Sequence, residues 1–226
     1  MMIIGFYKKI FILFLFLAIT LLAENLKHFS DKFINTPYQA NTLIGSFTTK
    51  EKLVTRIDMF DCFTFVDYIE ASKSQESIEK ALKNIRYKHG IVTYTKRNHF
   101  FSDWIIYNPH MKDITCKVGI CQKTLKNLNQ KSKNEVYLQG IEIIQREIYY
   151  TKPENLDYTN LKNGDYIGIY TPKNGLDVTH VGIAIQKENI WYLRHASSKM
   201  KKVIDSNLKE YIKNKDGIII YRSDMK

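Results

Sequence analysis

The sequence predicts an α+β fold, with a helical first half carrying a cysteine and an antiparallel β second half carrying histidines. Two patterns support this. From Cys62 onward, apolar residues recur at helical spacing, so that Cys62, Phe65, Val66 and Ile69 share one face. From Gly164 onward, the chain turns into short β-branched and aromatic runs: Asp165 to Tyr170, His180 to Ile185, Ile190 to His195 and Gly217 to Tyr221. Turn residues such as Pro172-Lys173-Asn174-Gly175 separate them, as hairpins require. Helices followed by strands, without alternation, make the α+β plan.

The first residues read as an export signal. Lys8 and Lys9 precede a largely apolar run from Ile10 to Leu22, and Ala23 stands before the first acid, Glu24. That run is shorter than the roughly 20 residues needed to span a bilayer, but it suits a signal core. Cleavage after Ala23 is the expectation; the alternative is an uncleaved anchor, because Leu21 is not small. Residues 24–226 then form one expected domain, since no linker or repeat divides them. The chain has 226 residues and a formal charge of +11, and the signal removes two lysines and no acid. A basic exported protein without a nucleic-acid reader motif points to an acidic wall polymer or membrane surface, or simply to solubility, rather than to nucleic acid.

Residues 24–36 suggest a short helix, and Thr36-Pro37-Tyr38 an extended turn entry, because proline disfavours helix before it. Thr49 to Phe60 leads into the cysteine helix. A second helix is expected after Ser74, with Glu76 and Glu79 in its first turn and Ile78, Leu82 and Ile85 as its apolar stripe. Ile91 to Tyr94 alternates like a strand, whereas residues 136–150 fit neither period. The Lys/Asn-rich stretch 112–135 carries Cys116 and Cys121; in an oxidising compartment a small disulfide loop is the first reading.

The chemistry centres on Phe60-Asp61-Cys62. Asp61 suits an N-cap, which places the Cys62 thiol at the positive end of a helix, where backbone N–H groups lower a thiol pKa and hold an oxyanion. The plainer alternative is a small hydrophobe in a helix core. An activated thiol needs a base, and the base needs an orienting partner. If Val181–Gln186 and Ile190–Leu193 pair as a hairpin, His180 and His195 meet at one edge. His28, His89 and His110 lie in polar or turn surroundings and read as surface residues. Arg97, His99 and Asp103 are candidates for binding a carboxylate or sugar, since an arginine fork matches a carboxylate; a local salt-bridge and capping network is the alternative. Trp104, with Phe100 and Phe101, offers aromatic faces for a sugar. Asp177 is expected to shape the turn before His180, and Ser197 and Ser198 to border the cleft.

Taken in order, Thr36-Pro37-Tyr38, Phe60-Asp61-Cys62, Gly164-Asp165, His180-Val181-Gly182-Ile183-Ala184 and His195-Ala196-Ser197 resemble the NlpC-type cysteine peptidase superfamily, papain-like enzymes that cut bacterial cell-wall peptides. The resemblance implies a papain-like fold with Cys62 as nucleophile, His180 as base, His195 as the third polar residue, and Tyr38 lining the cleft near the oxyanion. Departures from the commoner endopeptidases are Phe63-Thr64-Phe65-Val66 after the cysteine, Ala40-Asn41 after the Pro-Tyr, the Arg97–Trp104 stretch, and Gly175-Leu176-Asp177-Val178-Thr179 before His180. These look like the N-acetylmuramoyl-L-alanine amidase-like branch, whose pattern covers most of 36–222. That branch implies peptidoglycan or its fragments as substrate and cleavage between N-acetylmuramic acid and L-alanine, with no metal or organic cofactor needed; with the export signal, the expected protein is a monomer of the periplasm or cell envelope. Alternatives are a stem-peptide endopeptidase, a wall-binding protein with a vestigial triad, and a zinc hydrolase.

Overall fold

A computed structural model of the chain describes residues 29–225; the expected signal segment and His28 lie outside them. In chain order come helices α1 (Cys62–Ala71), α2 (Ile78–Arg86) and α3 (Asp103–Tyr107), then strands β1 (Met111–Asp113), β2 (Gly119–Leu128), β3 (Gln130–Ser132), β4 (Glu135–Val136), β5 (Ile144–Leu156), β6 (Tyr166–Tyr170), β7 (Val178–Lys187), β8 (Ile190–Ser197) and β9 (Lys202–Asn207), helix α4 (Leu208–Ile212) and β10 (Ile218–Ser223). An eight-stranded antiparallel sheet in the order β2-β5-β10-β6-β7-β8-β9, with β1 also on β10, forms the body; β3 and β4 make a separate small hairpin. The chain is therefore α+β, with few helices on a large antiparallel sheet.

Both faces of this sheet are covered. Val181, Ile183 and Ile185 of β7 pack with Phe65, Val66 and Ile69 of α1. Ala184, Leu193, Ile218 and Ile220 point the other way and pack with Leu208 and Ile212 of α4. This alternation follows from the two-residue period of a strand. At the β7–β8 turn, Glu188 and Asn189 take φ of +48° and +64°, the twist-matched geometry of a two-residue hairpin.

Three local expectations meet a different structure. Residues 91–94 form no strand, because left-handed His89 (φ +56°) and Gly90 (φ +66°) reverse the chain and leave only an isolated bridge, Tyr87 to Arg97. The ambiguous 136–150 stretch starts with Val136 at the end of β4 and returns to strand at Ile144, with turns between. The Lys/Asn-rich stretch supplies β2, an edge strand whose Ile120 and Leu125 are exposed. Cys116 and Cys121 are joined in a disulfide. Among the described residues no helix is long and apolar enough to cross a membrane.

Candidate active site

Asp61 starts α1 with a reciprocal cap. Its Oδ1 accepts the Thr64 N–H at 2.8 Å, and the Thr64 hydroxyl accepts the Asp61 N–H at 3.0 Å. Thr42 Oγ1 donates to the other oxygen at 3.1 Å. Thr64, one of the sequence departures, thus completes the cap that holds Cys62 in the first helical turn. Phe63, another departure, lies edge-on to Phe101 and Trp104 at 6.3 Å each. The two unusual stretches form one packing unit. Tyr38 enters through a parallel bridge with Phe60, and its N–H donates to Lys201 O at 2.9 Å.

The histidines arrive on neighbouring strands that part company. A register shift between Ile169 and Tyr170 leaves Thr179 as an extra residue just before His180, a bulge that re-aims the chain. Ala184 bonds toward β6, its N–H donating to Asp165 O at 2.8 Å, so alternation turns the Val181 amide toward β8. Pairing with β8 ends at Ile183 and Arg194. In the opening beyond that pair, the Val181 N–H faces the Cys62 sulfur, as do the amides of Phe63 and Cys62 itself. Gly182 is needed there: a Cβ would lie 2.7 Å from Arg194 O and 3.0 Å from the His195 Cβ.

Across this opening His180 Nε2 and His195 Nδ1 are 2.6 Å apart, and His195 Nε2 is 3.0 Å from Ser206 Oγ. Two tautomer sets satisfy the chain; in one of them each imidazole carries its proton on Nε2, His180 donating to His195 and His195 to Ser206. The His180 Nδ1 lone pair then stays free. Tyr211 of α4 packs against both rings, at centroid distances of 6.2 and 5.0 Å. Among the described residues, Cys62 makes no hydrogen bond to His180.

The electrostatics reverse the sequence expectation of an acidic thiol. Burial, and after it the Asp61 carboxylate, push the Cys62 thiol up to about 11, outweighing the three amides that favour a thiolate. Burial, then His195 and Lys215, push His180 down to about 3, and burial pushes His195 down to about 4. The resting pair is a neutral thiol beside neutral imidazoles. Because only the thiolate alkylates readily, we expect iodoacetamide to label Cys62 slowly at pH 7, with the rate rising about tenfold per pH unit toward 11. A plateau near pH 7 contradicts a neutral resting thiol.

The structure gives the remaining candidates local partners. The Arg97 fork meets Glu51, Nε to Oε1 at 3.0 Å and Nη2 to Oε2 at 2.5 Å, and Nη2 also reaches Gly45 O. His99 Nε2 is 2.8 Å from Tyr94 O, and burial lowers its pKa to about 4. Asp103 accepts the His99 and Phe100 amides and pairs with Arg146. Trp104, Phe100 and Phe101 are buried core residues rather than sugar-stacking faces. Asp177 accepts the amide and hydroxyl of Ser102 and the amide of Val178, which fixes the turn before β7. Ser197 caps the next turn through the Met200 amide. His110, expected at the surface, is half-buried and lies 3.1 Å from the buried Glu70. Arg97→Met is expected to destabilise the chain by about 3–5 kcal/mol, since it strands the buried Glu51 carboxylate. Denaturant midpoints check this; an unchanged midpoint with a tenfold higher KM would return Arg97 to the substrate.

The model of a family described as N-acetylmuramoyl-L-alanine amidase-like matches residues 28–218. Among solved structures, an N-acetylmuramoyl-L-alanine amidase from Bacteroides uniformis is 29% identical with a TM-score of 0.73, the match covering 89% of this chain and 98% of that one. A Legionella pneumophila protein designated DUF1460 is 27% identical with a TM-score of 0.73, over 89% and 88% of the two chains. A Bacteroides fragilis protein proposed as a xylanase is 30% identical with a TM-score of 0.69, over 85% and 98%. No curated protein matches.

Proposed function

The chain belongs to the N-acetylmuramoyl-L-alanine amidase-like family, and from that membership we propose a cysteine-dependent hydrolase of peptidoglycan or its fragments that cuts the amide between N-acetylmuramic acid and L-alanine. In this reading the fold is a papain-like member of the NlpC superfamily. A signal over residues 1–23 exports a single domain, 24–226, which works as a monomer in the periplasm or cell envelope. The observation that carries the proposal is the linked His180, His195 and Ser206 beside a helix-start cysteine whose sulfur faces the Val181 amide.

Cys62 Sγ attacks the lactyl carbonyl carbon as His180 Nδ1 takes the thiol proton. Proton transfer accompanies attack, because both partners rest neutral. The Cys62 N–H, with the Tyr38 hydroxyl, stabilises the oxyanion; burial and then Cys62 raise the pKa of that phenol, which keeps it a donor. Collapse breaks the C–N bond, and His180 returns the proton to the L-alanine amine, leaving a thioester. Water, deprotonated by His180, then attacks the thioester; the lactyl carboxylic acid leaves and the thiol is restored. His195 orients His180 and stabilises the transient imidazolium, with Ser206 accepting behind it. Arg97, His99, Asp103, Trp104 and Asp177 build the wall behind the site rather than touch substrate.

Turnover of N-acetylmuramoyl-L-alanyl-D-glutamate after thiol alkylation, and separately after metal chelation, tests this. Loss in the first and none in the second is expected; the reverse outcome would favour the zinc hydrolase.

A further inference from the structure

Two exposed lysines stand at the rim of the site, each over a tyrosine. Lys201 Nζ is 5.9 Å from the Tyr38 ring centroid, and Lys215 Nζ is 5.5 Å from that of Tyr211. Tyr38 bridges Phe60, two residues before Cys62, and burial and then Cys62 raise the pKa of both phenols. Tyr211 also contacts His180 and His195, and Lys215 depresses His180. The two lysines thus flank the nucleophile and the base.

Both are fixed at the backbone and free at the tip. Lys201 O accepts the Tyr38 N–H at 2.9 Å, and the Lys215 N–H donates to Ile212 O at 2.8 Å. Among the described residues neither ammonium forms an ion pair, as is also true of many lysines away from the site, so what sets these two apart is their place over the site tyrosines. Lys201 also holds φ of +59°, a left-handed conformation better suited to Gly or Asn. A long cationic side chain in that place, resting on a site tyrosine, is an observation the hairpin alone does not explain.

We propose that Lys201 and Lys215 receive the carboxylates of the peptide on the amine side of the scissile bond, and so select an anionic peptide. The amine-side assignment rests on the amidase reading; carboxylate capture itself does not. The acyl side offers a neutral sugar, whereas L-alanyl-D-glutamate carries two carboxylates, which two unpaired ammoniums match. A carboxylate on Lys215 also offsets the positive field at His180, making it a stronger base once this peptide is in place.

The test is calorimetric binding to the Cys62→Ala chain of L-alanyl-D-glutamate and of the same dipeptide with both glutamate carboxylates amidated. The dipeptide is expected to bind about tenfold tighter than the diamide, or more. Adding Lys201→Gln and Lys215→Gln should shrink that ratio to about twofold without moving the melting temperature, and the two Lys→Arg changes should keep it. A control with Lys131→Gln and Lys133→Gln should retain the full ratio. No preference in the parent, or a preference untouched in the double glutamine variant, overturns the proposal. Lysine-dependent binding by a chain that releases nothing from muropeptides would instead refute the amidase reading alone.

Discussion

Cys62→Ala is expected to reduce turnover of a muropeptide by at least about 10⁴-fold while leaving the protein folded. Loss of the nucleophile in an enzyme of this type removes the covalent route and leaves only binding and oxyanion stabilisation. The structural cost is small: Cys62 is only partly buried, and the alanine deletes one sulfur atom at the mouth of the site. The cap of α1 belongs to Asp61, Thr64 and Thr42 and survives the change. A melting temperature within about 2 °C of the parent is expected for the loss of one partly buried sulfur atom. Retained activity ends the cysteine mechanism. A large stability loss with normal activity per folded molecule would make Cys62 a packing residue.

His180→Ala is expected to be at least as damaging as His195→Ala, because a base contributes more than the group that orients it. General base catalysis is worth about 10²–10⁴-fold, and removal of His180 forfeits it outright. His195 is 2% exposed and holds His180 Nε2 at 2.6 Å. Its removal frees the His180 ring to turn, yet leaves a base present. His195→Asn should recover part of the loss, since an amide oxygen accepts the same proton; simple repair of packing would not favour Asn over Leu. Rates and melting temperatures of the three variants decide the order. If His195→Ala proves the more damaging, the two roles exchange.

Features encoded over a few residues were legible in the sequence. Asp61 and Thr64 are three residues apart, so the cap and the place of Cys62 in the first helical turn follow from local pattern. The β7–β8 hairpin was readable because its strands are dense in β-branched residues and close in sequence, which brings His180 and His195 together. Partners supplied from a distance were not. Ser206 and Tyr211 come from β9 and α4 and carry no local sign of their place beside the histidines. Glu51 lies 46 positions from Arg97, and nothing around Arg97 distinguishes a fork held by a buried glutamate from one open to a ligand. The edge strand β2 has no buried face over most of its length, so it lacks the alternation that reveals a strand. The thiol differs from its expected acidity for a related reason: a helix start is visible in sequence, whereas the burial that outweighs its dipole comes with the fold.

Mass spectrometry of defined muropeptides before and after incubation with the intact protein tests the central claim most directly. The account predicts intact stem peptides beginning with a free L-alanine amine, together with a sugar ending in a free lactyl carboxylate. Release of the dipeptide L-alanyl-D-glutamate, or L-alanyl-D-glutamate still joined to muramic acid, would contradict it and place the cut within the stem peptide.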